Sequence, residues 1–293
     1  MGILEYLSQT DGNVDFVELQ KRFKFIDDLS ILEIINLISI GLSSFNSKQQ
    51  VPRDIADHNQ YIPPENLHSQ AYLNQLNKWT DEKEMKLNSQ KSKYMIFNFS
   101  RNHQFNTRLN INGNLLEQVR STKLLGLVIN DDLSWKENTD TIVKKAYQRM
   151  VILHNLFQFN MPIMELLNIY ILYIRSLVEQ SSVVWHSSIT QDECLEIERV
   201  QKIALRIIMG QNYVTYENAL CITGIMTLKE RRDHLSARFA AKCAKSEKSR
   251  HMFPLNGLNV FNTRHHEAYF VTPARTKRLA NSAIPTMQRI LNS

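Results

Sequence analysis

Near Trp135 the hydrophobic period of this 293-residue chain changes, and that change constrains its fold more than any other feature. Beyond it apolar residues recur three and four positions apart, the spacing that lines one face of a helix with a period of about 3.6. Ile142, Val143, Ala146, Met150, Leu153 and Leu156 form the first such stripe. A second helix is expected to start with Pro162 in its first turn, where proline is tolerated, and to run through Leu166, Tyr170, Tyr173, Ile174 and Leu177. Thr190 with Glu193 reads as a capping box opening a third helix, whose stripe is Leu195, Val200, Ile203, Ala204 and Ile207. Thr227 with Glu230 opens a fourth, ending near Ala244.

Before Trp135 the patterns are shorter and mixed. In KRFKFIDDLSILE, residues 21–33, Phe23 and Phe25 alternate with polar residues and an Asp-Asp pair interrupts the apolar run, so a strand, a tight turn and a second strand are predicted. Residues 45–66 are polar and carry Pro52, Pro63 and Pro64, a loop signal. Tyr72, Leu73, Leu76 and Trp79 have helical spacing, with Asn88 as the expected end. SKYMIFNFS, residues 92–100, reads as a strand, and Asn112-Gly113 as the turn of a hairpin. STKLLGLVINDDLSW, residues 121–135, reads as a strand ending in a polar turn that holds Asp131 and Asp132. The expected fold class is therefore α+β: a mixed part over residues 1–135, a helical part over 136–245, and a polar, weakly patterned, loosely ordered tail over 246–293.

Charge is uneven. From Ala240 to Ser293 there are nine Lys or Arg against two Asp or Glu, net +7, while the whole chain carries +6, so the preceding residues sum to about −1. Such a tail suggests a polyanion partner, nucleic acid being the usual one, or else a solvated surface segment. Cys194, Cys221 and Cys243 are odd in number and widely spaced, which gives no disulfide framework and fits a reducing compartment, nucleus or cytoplasm. The longest apolar stretch, Leu29 to Leu42, is broken by Glu33 and Asn36 and is too short for a membrane span. Tyr6 stands where a myristoylation signal wants Ser or Thr, and no signal peptide is evident, so neither secretion nor a membrane location is expected.

Asp27 and Asp28 are the residues with catalytic potential. Paired carboxylates at a hairpin tip can share a divalent metal, since hard oxygen ligands suit Mg²⁺. Phosphoryl transfer on nucleotides uses two such ions about 4 Å apart to stabilise the attacking and leaving oxygens. A binding surface is suggested by Arg199, Lys202 and Arg206, which share one helical face, by Lys144 and Lys145 on the first helix, and by Arg231 and Arg232 on the fourth. Lys and Arg in such an array meet phosphates without reading sequence, although a solvated helix face interspersed with Glu196 and Glu198 has the same composition. His265-His266 has poor geometry for one ion and reads as surface, and no small-molecule cofactor is evident.

Several segments resemble, in order, those of non-LTR (LINE-type, jockey-like) retrotransposon reverse transcriptases. Phe25-Ile26-Asp27-Asp28 is similar to that family's metal-binding hairpin. LNQLNKWTDEKEMKLNSQKSKYMIFNFS resembles its tryptophan-bearing helix, lysine-rich turn and apolar strand, and STKLLGLVINDDLSW its primer-grip region. IYILYIRSLVEQSSVVWHSS resembles a thumb helix ending in a strand, and LEIERVQKIALRIIMG and TLKERRDHLSARFAAKC the helices after it. The resemblance spans about residues 21–245. It implies a partial palm followed by an all-α thumb, and RNA-directed DNA synthesis with Mg²⁺ on Asp27 and Asp28. It also implies a primer grip at Leu124, Leu125 and Gly126, and an RNA/DNA primer–template as partner. The family's third metal-binding aspartate lies on an earlier palm strand. Only 26 residues precede Asp27, and neither Asp11 nor Asp15 has the spacing, so the chain by itself is expected to be inactive as a polymerase. The alternative is a non-enzymatic nucleic-acid-binding module retained from a retrotransposon.

Overall fold

The computed structural model describes residues 59–61, 68–98, 104–256 and 268–293. Asp27, Asp28, His265 and His266 lie outside them. The described residues are α+β and mostly helical. They fall into two compact units, one ending at Gly126 and adding Asn130–Leu133, the other comprising Leu127–Ile129 and Ser134–Ser293.

The first unit holds strand β1 (Asn59–Tyr61), helix α1 (His68–Glu82), strands β2 (Lys93–Tyr94), β3 (Gln104–Asn106), β4 (Asn110–Ile111), β5 (Asn114–Leu115) and β6 (Glu117–Gln118), and strand β7 (Ser121–Leu124). β1 pairs with β3 and β2 with β6, both parallel, and β4 pairs with β5 antiparallel. The β4–β5 connection is the expected Asn112-Gly113 turn, with φ of 52° and 78°, values that suit these two residue types. Leu109, Ile111 and Leu116 make a small core against Leu73, Leu87 and Tyr94. The Gln70 side chain, 5% exposed, joins α1 to β4 as a strand would: its Nε2 donates to the Asn110 carbonyl (2.9 Å) and its Oε1 accepts the Asn110 N–H (3.0 Å). Of the strand predicted over residues 92–100, the described part, residues 92–98, is regular at Lys93–Tyr94 alone. Helix α1 stops at Glu82, short of Asn88, whose side chain instead accepts the N–H groups of Gln90 and Lys91 in a turn.

The single strand predicted after Ser121 is split. β7 ends at a two-residue turn, Leu125-Gly126, and strand β8 (Leu127–Asn130) follows.

The second unit is built on helix α2 (Lys136–Gln158). Helix α3 (Ile163–Ile169) runs into a π-helical segment, Tyr170–Arg175, and on into α4 (Ser176–Glu179). Short helix α5 (Ser182–Trp185) precedes α6 (Gln191–Met209), α7 (Tyr216–Thr223) and α8 (Leu228–Lys245). The Val183-Val184-Trp185 segment, expected as a strand, is thus helical. It turns there because Trp185 is fully buried and donates its indole N–H to the Gln180 carbonyl (3.1 Å). Both predicted capping boxes form, at Thr190/Glu193 and Thr227/Glu230. Ile142, Ala146, Met150 and Leu153 of α2 pack with Ile197, Val200, Ala204, Leu205 and Ile208 of α6 and with Leu166, Tyr170, Ile174 and Val178. The buried stripe of α6 is therefore turned from the expected one: Leu195 is 51% exposed, and Ile203 and Ile207 are only half-buried.

The tail is not loosely ordered where it is described. It contains helices α9 (Lys277–Ala280) and α10 (Ala283–Asn292), and Met287 packs with Ala240, Cys243 and Phe253 in a separate small core. Buried Gln288 fastens α10 by accepting the Thr272 N–H and donating to the Met252 carbonyl, each at 2.8 Å. The reason is physical: a ten-residue helix with one apolar face adds cover to α8, and its one basic residue, Arg289, remains exposed. The three cysteines are free, and among the described residues no helix is long and apolar enough to cross a membrane.

Candidate nucleic-acid interface

The expected cations stand on α2 and α6, the two longest helices among the described residues, which pack against each other along the core. Ile142, Ala146 and Met150 take one side of α2 inward, so Lys144 and Lys145 point outward and are exposed. On α6, Val200, Ala204 and Ile208 are buried at four-residue spacing, which leaves Arg199, Lys202 and Arg206 exposed on the opposite side. None of the five forms an ion pair among the described residues. Packing of the two helices brings Lys144 and Arg199 to one open groove of about 520 Å³, which Val143, Tyr147, Asp140 and Glu196 also line. Lys145 stands outside that groove.

The two arginines of the fourth predicted helix do not belong to this face. Arg231 ion-pairs with Glu179 at 3.1 Å, and Glu179 also holds Arg175 at 3.1 Å. Arg232 is fully buried. Its Nε donates to His186 Nδ1 (3.1 Å), its Nη2 to Cys194 Sγ (3.5 Å), and its guanidinium lies 5.8 Å from the Trp185 ring centre. Burial pushes its pKa down from the ordinary arginine value. Because Nδ1 must accept that bond, the imidazole hydrogen sits on Nε2 and is donated to Asp233 Oδ1 at 2.8 Å. Burial and then the Arg232 charge lower the His186 pKa, against the raising effect of Asp233. The imidazole is accordingly neutral here, and its contact with Asp233 is a hydrogen bond to a carboxylate.

Behind the cationic face lies a polar chain that apolar periodicity gave no sign of. The Tyr170 hydroxyl donates to Gln201 Oε1 (2.7 Å). Gln201 Nε2 donates to the Tyr216 hydroxyl and to the Met226 carbonyl, each at 2.9 Å. The Tyr216 hydroxyl donates in turn to Glu198. Glu198 also accepts the N–H groups of Leu228 (3.1 Å) and Lys229 (3.2 Å), satisfying donors at the start of α8. Burial raises the pKa of both tyrosine hydroxyls, so both remain proton donors.

Leu124, Leu125 and Gly126 belong to the other unit. Leu124 is half-buried at the end of β7, while Leu125, 69% exposed, and Gly126 form a turn tip with φ of 49° and 89°. Gly126 thus takes a positive φ in a turn, a conformation glycine adopts without strain. Among the described residues no group of three or more His, Cys, Asp and Glu is placed to hold a metal ion. Asp27 and Asp28 lie outside the described residues. No protein family, curated protein or solved structure matches the chain.

Proposed function

We propose that this chain is a palm-and-thumb portion of an RNA-directed DNA polymerase of the non-LTR retrotransposon type, and that its helical unit binds a primer–template duplex. The observation that carries the binding part is the set of five exposed cations, Lys144, Lys145, Arg199, Lys202 and Arg206, without ion-pair partners among the described residues, on two helices packed side by side. Cations left unpaired on a rigid support suit the phosphate backbone, which supplies charge at regular spacing and asks for no sequence reading. The polymerase part rests on the ordered resemblance of residues 21–245. In that reading Asp27 and Asp28 hold Mg²⁺, which when bound stabilises the phosphoryl oxygens that gain charge during transfer. Leu124, Leu125 and Gly126 would meet the primer end.

The test is binding of the full chain to a short RNA–DNA heteroduplex, read by fluorescence anisotropy across a salt series. Affinity should fall steeply with salt, and each cation changed to glutamine should flatten the slope by about 0.9 if it contacts a phosphate. Binding unchanged with all five replaced would refute the interface. The polymerase part is tested separately: any primer extension by the chain should vanish in Asp27→Asn, and extension that persists would exclude Asp27 from the chemistry.

A further inference from the structure

The five cations are not equivalent. Lys202 Nζ lies 5.1 Å from the Tyr216 ring centre, and the Arg206 guanidinium 5.2 Å from that of Tyr213. Among the described residues Lys144, Lys145 and Arg199 have no such ring. Arg199 and Lys144 instead share their groove with the carboxylates of Asp140 and Glu196, which offset part of their charge. A cation over an aromatic face is attracted by the ring quadrupole, and a long side chain held this way loses less freedom when it meets a ligand.

The two rings are themselves fixed. Tyr216 is tied through its hydroxyl to Gln201 and Glu198. Tyr213 follows the short turn that ends α6, where its N–H donates to the Gly210 carbonyl (3.3 Å). Its ring is half-buried and packs against the main core.

From this geometry we infer that Tyr213 and Tyr216 are positioning residues. They hold Arg206 and Lys202 in set directions, so that these two are the anchoring phosphate contacts, while Lys144, Lys145 and Arg199 add diffuse attraction. The inference rests on the nucleic-acid reading proposed above. It adds to it a division of labour, and a role for two residues that carry no charge.

Tyr216 has structural bonds of its own, so the test uses Tyr213 and Arg206 in the full chain, with the heteroduplex as probe. Tyr213→Leu should raise Kd about two- to fivefold and leave the salt slope unchanged, because the guanidinium is still present. Tyr213→Phe, which keeps the ring, should bind as the unaltered protein does. In an Arg206→Gln background Tyr213→Leu should cost nothing more, since its effect passes through the missing cation. A purely structural tyrosine would instead give the same loss in both backgrounds, and that result, or no loss in either, would overturn the inference. Should leucine disturb folding, seen as a changed unfolding midpoint, Tyr213→Gln takes its place in the cycle. Arg206→Gln with unaltered Kd and slope would show a different failure, that of the nucleic-acid reading at this face.

Discussion

Replacing Gln201 by leucine isolates the polar chain inside the helical unit. Gln201 is fully buried and has three partners: the Tyr170 hydroxyl, the Tyr216 hydroxyl and the Met226 carbonyl. Leucine has similar bulk, so little cavity is expected. What changes is satisfaction. Tyr216 keeps a partner in Glu198. The Tyr170 hydroxyl does not: it is fully buried, and Gln201 is its acceptor. Stranding it costs about 1–3 kcal/mol, and the other two bonds contribute about 1 kcal/mol each, so Gln201→Leu should destabilise the protein by about 3–5 kcal/mol. The decisive comparison is Tyr170→Phe in the Gln201→Leu background. Removing the stranded hydroxyl should return about 1–3 kcal/mol, because an apolar pair of matching shape leaves no unmade bond between these two positions. Urea unfolding followed by far-UV circular dichroism measures both. A Gln201→Leu protein within about 0.5 kcal/mol of the unaltered one, the usual range for inconsequential surface changes, would refute the reasoning. So would a double variant no more stable than the single.

Three further predictions follow from local geometry. The folded-state pKa of His186 lies below its unfolded value, so the unfolded chain binds the proton more readily: the contribution of the neutral ring is present above the usual histidine pKa of about 6.5 and is lost as pH falls through the depressed folded value. Urea midpoints should therefore drop on acidification below about pH 6.5 and drop less in His186→Gln; equal pH dependence of the two proteins would contradict it. Thr190→Ala removes the acceptor for the Glu193 N–H (3.2 Å) and should cost about 0.5–2 kcal/mol by the same unfolding measurement, with no change counting against the cap. Gly210→Ala places a Cβ 2.6 Å from Phe157 Cζ at a φ of 52°, so a loss of about 1–2 kcal/mol is expected, and a stabilised variant would show that the left-handed turn is not needed.

The parts of the fold legible in the sequence are those governed by residues close together in the chain. Thr190/Glu193 and Thr227/Glu230 act over one helical turn, and Asn112-Gly113 supplies its own left-handed dihedrals. The phase of α6 was less legible, because the pattern counts apolar residues as inside and polar ones as outside. Here Glu198 (9% exposed) and Gln201 (0%) are inside with partners contributed by other helices, while Leu195 is outside. Only the tertiary arrangement reveals those partners. The same is true of the Tyr213 and Tyr216 rings under Arg206 and Lys202, whose meeting depends on how the chain turns after Gly210. The strand that the resemblance implies at Val184-Trp185 does not form, because burial of the Trp185 indole and its bond to the Gln180 carbonyl hold the segment in a helical turn. The exposed positions of Lys144, Lys145, Arg199, Lys202 and Arg206 were legible, since spacing from a buried stripe fixes the opposite face of a helix.

The π-helical segment between α3 and α4 bears on how this chain tolerates a change in length. A wide turn of this kind holds one residue more than the α-helix would, while the flanks stay in phase on either side of it. Leu166 and Leu167 before it and Leu177 and Val178 after it all face the same core. Loss of one residue from Tyr170–Arg175, with Leu172 at 76% exposure the least committed, could be absorbed by tightening to regular α-helix. Loss of one residue from α6 has no such slack, and would swing everything beyond it by about 100° around the helix axis. A Leu172 deletion should accordingly retain its helical spectrum and much of its unfolding midpoint, whereas a Lys202 deletion should not. The segment is a place where insertion and deletion can be exchanged for a change of helical winding, within a domain whose other long helices admit substitution only.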